Sequence, residues 1–97
     1  CSNAPNNTFK TTCAESLGYF ISQRANGKVK EVINLCGEIS DDRGHNFCII
    51  AAARESIFQE YQNWLKNSLA LCQTLSGDWQ SQCLESNEQV KKIYNRK

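Results

Sequence analysis

The spacing of six cysteines is the feature of this 97-residue sequence that most restricts its fold. Successive cysteines are 12, 23, 12, 24 and 11 positions apart, so short and long intervals alternate. The alternation divides the chain into three units of about 35 residues, the length scale of helix–turn–helix repeats. Each unit opens with a short cysteine-bounded segment and continues with a longer run that contains no cysteine.

The short cysteine-bounded segments predict three local disulfides. A disulfide tolerates Cα separations of about 4.4–6.8 Å, which the adjoining ends of two antiparallel helices satisfy. Closing a loop of about 13 residues stabilises a domain by roughly 3 kcal/mol, a large contribution for a small chain. The predicted pairs are Cys1–Cys13, Cys36–Cys48 and Cys72–Cys83. Other pairings of the six cysteines stay open on sequence grounds.

The first two runs between the cysteine segments have helical periodicity. Cys13, Leu17, Phe20 and Ile21 fall on one face of a predicted first helix. The pattern Thr12-x-x-Glu15 is a capping box that predicts the start of this helix, so residues 1–11 are expected to be an extended N-terminal segment. The turn residues 26–27, Asn-Gly, predict its end. A second helix is predicted over 29–36, closed by a glycine at position 37.

The later runs are also helical in pattern. Apolar residues keep helical spacing from Cys48 almost to Cys72, and no glycine or proline interrupts them. A bend is expected at 66–68, where the sequence reads Lys-Asn-Ser. A final helix follows Cys83. Because alternating strand patterns are absent, the sequence predicts a single all-α domain over 1–97, a compact bundle of four helices, or five, in antiparallel hairpins.

Charge, hydropathy and cysteine content exclude several functional classes. A formal net charge of +1 argues against nucleic acid as a partner. No apolar run approaches the ~18 residues of a transmembrane segment. An even number of cysteines in a small chain indicates an oxidising compartment, so the protein is predicted to be secreted or periplasmic. The chain begins at a cysteine and is interpreted as a mature form whose export segment has been removed.

Metal and catalytic sites are not expected. The cysteines lack the short C-x2-4-C knuckles of zinc sites, and the acidic residues Glu38, Asp41 and Asp42 lack the ligand order of a calcium loop. The single histidine, His45, has carboxylates nearby in the sequence but no evident nucleophile. The sequence therefore predicts a protein that is not an enzyme and holds no cofactor.

Six residues are candidates for contact with a partner. Trp79 is the first choice as an exposed anchor, because aromatic residues dominate interface hot spots and it lies inside the last cysteine segment, CQTLSGDWQSQC. The other candidates are charged residues or histidine in the cysteine segments and the basic C-terminal run. The full set is Trp79, Asp78, Arg43, His45, Lys91 and Lys92.

The leading functional hypothesis is an exported, non-enzymatic protein that binds another protein, as an inhibitor, immunity factor, toxin or secreted effector. Two alternatives stay open. The N-terminal CSNAPNN is similar to the start of bacterial lipoproteins, which would make the chain an envelope or assembly factor anchored through Cys1. The other alternative is a small secreted hydrolase that uses His45. Whether the protein forms a homodimer is also open.

Overall fold

The computed structural model describes residues 6–94, and these residues form an all-helical bundle. The bundle has five helices within that range, which is the larger of the two numbers expected from the sequence. The helices are α1 (Asn7–Ala25), α2 (Val29–Cys36), α3 (Asp42–Gln59), α4 (Trp64–Gln73) and α5 (Gly77–Ile93).

Helix α1 begins earlier than the sequence predicted. Asn6 is its N-cap, and the side-chain oxygen of Asn6 accepts a hydrogen bond from the Phe9 backbone N–H at 3.0 Å. Residues 7–11 are therefore helical, and the prediction of an extended segment there is wrong. Thr12 lies inside the helix rather than at its start. The predicted end is confirmed, since Asn26 and Gly27 adopt left-handed conformations immediately after Ala25.

Helix α2 has the predicted bounds, but the two later cysteine segments are less loop-like than expected. Asp41 caps α3 by accepting a hydrogen bond from the Gly44 backbone N–H at 3.1 Å. His45 and Cys48 consequently belong to α3, and the true loop is only 37–41. In the same way α5 begins at Gly77, so Trp79 is helical as well.

The long run between Cys48 and Cys72 is two helices. The chain breaks at 60–63, and not at 66–68 where a bend was expected. Glu60 and Asn63 both have positive φ, 50° and 61° respectively. The Glu60 backbone N–H bonds back to the carbonyl groups of Ile57 and Ser56, which ends α3.

Helix α3 lies at the centre of the bundle and is buried on nearly all sides. It packs against each of the other four helices. Its buried apolar residues include Ile49, Ile50, Ile57 and three consecutive alanines at 51–53. The residues from Cys48 to Ala53 are apolar and buried on all sides of the helix, as expected for a segment at the centre of a bundle.

The contact between α1 and α3 is made by small residues. Ala14, Gly18, Ser22 and Ala25 face α3, and all four are buried. The Ser22 hydroxyl donates to the carbonyl oxygen of Ala52 at 3.1 Å. The two backbones come so close at Gly18 that a Cβ there would lie 2.5 Å from the Cys48 carbonyl oxygen.

Two of the three predicted disulfides are confirmed. Cys36–Cys48 joins the end of α2 to α3, with a Cα–Cα distance of 5.8 Å. Cys72–Cys83 joins α4 to α5 at 5.4 Å, and all four of these cysteines are fully buried. The third predicted pair, Cys1–Cys13, includes Cys1, which lies outside the described residues. Two disulfides in a small chain indicate an oxidising environment.

Within residues 6–94, no helix has the length and apolar character needed to cross a membrane.

Candidate functional site

A groove of about 780 Å³ lies between α1 and the segment that leads from the end of α2 into α3. We call it the α1–α3 groove. Its volume falls in the range of about 300–1,000 Å³ that is typical of ligand sites. The apolar side chains that line it are Leu17, Phe20, Ile21, Leu35 and Ile39. The charged side chains that line it are Lys10, Arg24, Glu38, Asp41 and Arg43.

The α1 wall of the groove exposes large apolar side chains. Phe20 is 57% exposed and Leu17 is 37% exposed. The sequence predicted that both residues would face the core together with Ile21, and only Ile21 does. Because the small residues of α1 take the positions against α3, the larger Leu17 and Phe20 lie beside that contact and line the groove. Exposed aromatic and aliphatic side chains that line a concave surface are typical of binding sites.

The opposite wall is fixed by the Cys36–Cys48 disulfide and by the cap of α3. The disulfide holds the end of α2 against α3, so the connecting loop has a defined path. Ile39 in this loop packs over Gly44, where an added Cβ would lie 3.0 Å from the Ile39 Cγ2 atom. The Asp41 cap places the first turn of α3 at one end of the groove. The wall is therefore preorganised by covalent and hydrogen bonds.

The cations around the groove have no anionic partner in the part of the chain that the structure describes. The ion pair present there joins Lys91 to Glu88 on α5, away from the groove. Lys10, Arg24 and Arg43 are not in ion pairs with the described residues. An unpaired cation beside an apolar surface is available to bind an anionic group of a ligand.

Arg43 and Trp79, two of the predicted partner-binding residues, are brought to one side of the molecule through Phe47. The Arg43 guanidinium lies 5.4 Å from the centre of the Phe47 ring. The Phe47 ring in turn makes an edge-to-face contact with Trp79, with centroids 5.1 Å apart. Trp79 is half-buried and packs against the core. It is thus less exposed than the anchor that the sequence suggested.

The remaining charged candidates do not join this arrangement. Asp78 is exposed in the first turn of α5, beside Trp79. Lys91 and Lys92 lie in the last turn of the same helix, more than three helical turns away. Lys91 is paired with Glu88, and Lys92 is exposed. The six candidates therefore do not form one continuous surface.

His45 has a structural contact that the sequence did not reveal. Its Nδ1 atom lies 2.9 Å from the carbonyl oxygen of Cys36, the last residue of α2. A carbonyl oxygen only accepts, so Nδ1 carries the proton and donates it to this bond. The same carbonyl also accepts the Ile39 backbone N–H at 3.1 Å, so His45 supplies a second donor to a carbonyl group at the end of α2.

Replacing His45 with alanine should lower the free energy of unfolding by about 1 kcal/mol, because the half-buried Cys36 carbonyl loses one of its two donors and keeps only the Ile39 N–H. Urea denaturation followed by circular dichroism measures this difference. The exposed Lys30→Ala in α2 is the matched control and should leave the free energy of unfolding within about 0.5 kcal/mol of the parent. Equal stabilities of the His45 variant and the control would contradict this role for the imidazole.

A buried carboxylate lies on the other half of α3 from the groove. Glu55 is only 8% exposed, and its Oε2 atom accepts hydrogen bonds from Gln23 at 2.7 Å and Gln59 at 3.2 Å. Burial of the Tyr61 phenol, with a smaller contribution from the Glu55 carboxylate, raises the pKa of Tyr61. The two amide donors explain how the Glu55 carboxylate is accommodated in the interior. No cluster of metal-ligating side chains occurs among the residues that the structure describes.

Sequence reasoning missed three important groove residues as binding candidates: Leu17, Phe20 and Lys10. The available signal was the spacing of small residues at 14, 18 and 22, which marks the face of α1 that approaches another helix closely. Had that face been assigned to the core, the larger residues at 17 and 20 would have been predicted to face outward.

Searches with this chain found no matching protein-family model, no similar curated protein and no similar solved structure.

Proposed function

We propose that this protein is exported and acts without catalysis, by binding another protein in the α1–α3 groove. The observation that carries the proposal is the exposure of Leu17 and Phe20 in a groove whose rim cations have no ion-pair partner among residues 6–94. The two disulfides support an extracellular or periplasmic site of action, where inhibitors, immunity factors, toxins and secreted effectors work.

Phe20 is the expected anchor of the complex. It is the most exposed apolar side chain that lines the groove, and an aromatic ring supplies a large contact area with few rotatable bonds. Burying a large apolar side chain contributes about 1.5–3 kcal/mol, and Phe20 has more than half of its surface still to bury. Because the opposite wall is held by a disulfide, little ordering of the groove accompanies binding.

A photocrosslinking amino acid at position 20 tests the proposal directly. The labelled protein is incubated with the secreted or periplasmic proteins of its source, irradiated, and analysed by mass spectrometry. We expect one protein to be captured from position 20 and not from position 66, an exposed lysine on α4. The captured protein is then produced pure and titrated against the unlabelled chain, where binding should saturate.

The same titration has matched variants. Phe20→Ala should weaken binding about tenfold or more, as expected for a hot-spot aromatic. Leu69→Ala, which removes an apolar side chain that is 40% exposed on α4, should leave the affinity unchanged. Equal capture at positions 20 and 66, or a captured protein that shows no saturable binding, would contradict the proposal.

A further inference from the structure

The charges along the α1 wall have a defined order. Steps of seven residues place Lys10, Leu17 and Arg24 on nearly the same side of α1, because seven residues make almost two helical turns. The exposed Leu17 and Phe20 therefore lie between a cation at each end. Over 14 residues of helix the two cations are about 21 Å apart along the axis.

The two ends of the groove carry different sets of charged side chains. At the Lys10 end, Arg43 and Asp41 line a small recess together with Lys10. The Asp41 carboxylate already accepts the Gly44 N–H, so two cations and a partly satisfied carboxylate remain there. Arg24 stands at the other end of the wall. Glu38 belongs to the opposite wall and discourages an occupant that is acidic along its whole length.

We infer that the groove takes an amphipathic helical segment of the partner, apolar in its middle and acidic at both ends. The inference rests on the proposed function and specifies its partner. The central apolar residues would cover Leu17 and Phe20, and the acidic residues would meet Lys10 and Arg24. Such complementarity sets the register of the bound segment as well as its affinity.

Two other occupants fit the wall less well. An amphiphile with a single anionic head meets the cations at one end only and leaves the other end without a partner. A peptide that binds as an added β-strand needs an exposed sheet edge to pair its backbone groups, and the described residues contain no strand. A helix satisfies its own backbone hydrogen bonds and presents side chains over the required length of about 21 Å.

A displayed peptide library tests the inference without knowledge of the natural partner. The library holds helices about four turns long in which the central apolar stripe is fixed and the end positions are random. Selection on the intact, oxidised protein should enrich Asp or Glu at both ends of the stripe. The best peptide is synthesised, labelled and titrated by fluorescence anisotropy, with dodecanoate as a competitor.

Charge reversal then assigns the contact. The double variant Lys10→Glu, Arg24→Glu should bind the selected peptide about tenfold more weakly than the parent protein does. A version of the peptide with lysine in place of the acidic end residues should bind the double variant more tightly than it binds the parent protein. The matched control is Lys30→Glu, Lys66→Glu, which changes the net charge equally at exposed lysines outside the groove and should leave the affinity of the peptide unchanged.

Three outcomes overturn the inference: no enrichment of acidic ends, equal effects of the two double variants, or dodecanoate binding to a groove that binds no selected peptide. They are distinguishable from failure of the proposed function. If a natural protein is captured at position 20 and the Lys10 and Arg24 reversals leave its affinity unchanged, protein binding stands and only the acidic-ended helix is lost.

Discussion

Replacing Gly18 with alanine should lower the free energy of unfolding by about 2 kcal/mol, and replacing it with valine should prevent folding. The added Cβ would lie 2.5 Å from the Cys48 carbonyl oxygen and 2.8 Å from the Ala51 Cβ. Because the first of these is a backbone atom of the buried central helix, α1 and α3 must separate to make room. Overpacking of this kind costs about 3 kcal/mol, and the better helix propensity of alanine offsets about 1 kcal/mol of it.

Urea denaturation measured by circular dichroism checks this prediction. The matched control is Ser16→Ala, a change to alanine at an exposed position on the same helix, which should be neutral or slightly stabilising. If the Gly18→Ala protein were as stable as the control, the close approach of α1 and α3 would be contradicted.

Replacing both Cys36 and Cys48 with alanine should lower the free energy of unfolding by about 3 kcal/mol, from the lost loop closure alone. The Cys72 and Cys83 pair closes a loop of nearly the same length and should give a similar loss. Removing these two disulfides together should leave a chain that is largely unfolded, because a small domain has only about 5–15 kcal/mol of total stability.

The two disulfide variants also separate stability from function. Of these two disulfides, Cys36–Cys48 is the one that joins the elements of a groove wall, the end of α2 and α3. At a temperature where both variants are folded, the Cys36→Ala, Cys48→Ala protein should bind the selected peptide more weakly than the Cys72→Ala, Cys83→Ala protein does. Denaturation curves give the stabilities and anisotropy gives the affinities. Equal affinities in the two variants would show that the disulfide does not organise the groove.

Much of the fold follows from patterns that are local in the sequence. Helical periodicity predicts the all-α class, and the Asn26-Gly27 and Gly37 signals give the bounds of α2. The short spacing of cysteines predicts the two observed disulfides, because helix ends that adjoin a short loop are necessarily close in space. These features depend on neighbours within about a dozen residues.

The features that sequence reasoning missed depend on contacts between distant segments. The break after α3 occurs at Glu60, which adopts a left-handed conformation although no glycine or proline marks it. The inward face of α1 is set by the surface of α3, where close backbone approach selects Ala14, Gly18 and Ser22. Helical periodicity gives most weight to large apolar residues, so it assigned Leu17 and Phe20 to the buried face of α1 instead.

The candidate site was predictable only in part. Of the six proposed partner-binding residues, Arg43 lines the groove and Trp79 reaches the same side through Phe47. The other four candidates do not line the groove: Asp78, His45, Lys91 and Lys92. The imidazole of His45 instead forms a hydrogen bond with the Cys36 carbonyl at the end of α2. A groove between helices is a property of their packing, so its lining residues come from two separate parts of the sequence, 10–24 and 35–44, and share no motif.

The sequence-local character of the disulfides has a consequence for biosynthesis. Cys36 and Cys48 are 12 positions apart, and Cys72 and Cys83 are 11 apart. In the proposed export, Cys48 follows Cys36 out of the channel before Cys72 has been translocated, so oxidation at that stage pairs Cys36 with Cys48 before the later thiols can compete. Cys72 and Cys83 are the next two cysteines to emerge. Emergence in chain order would therefore favour these two native pairs over bonds that join one pair to the other.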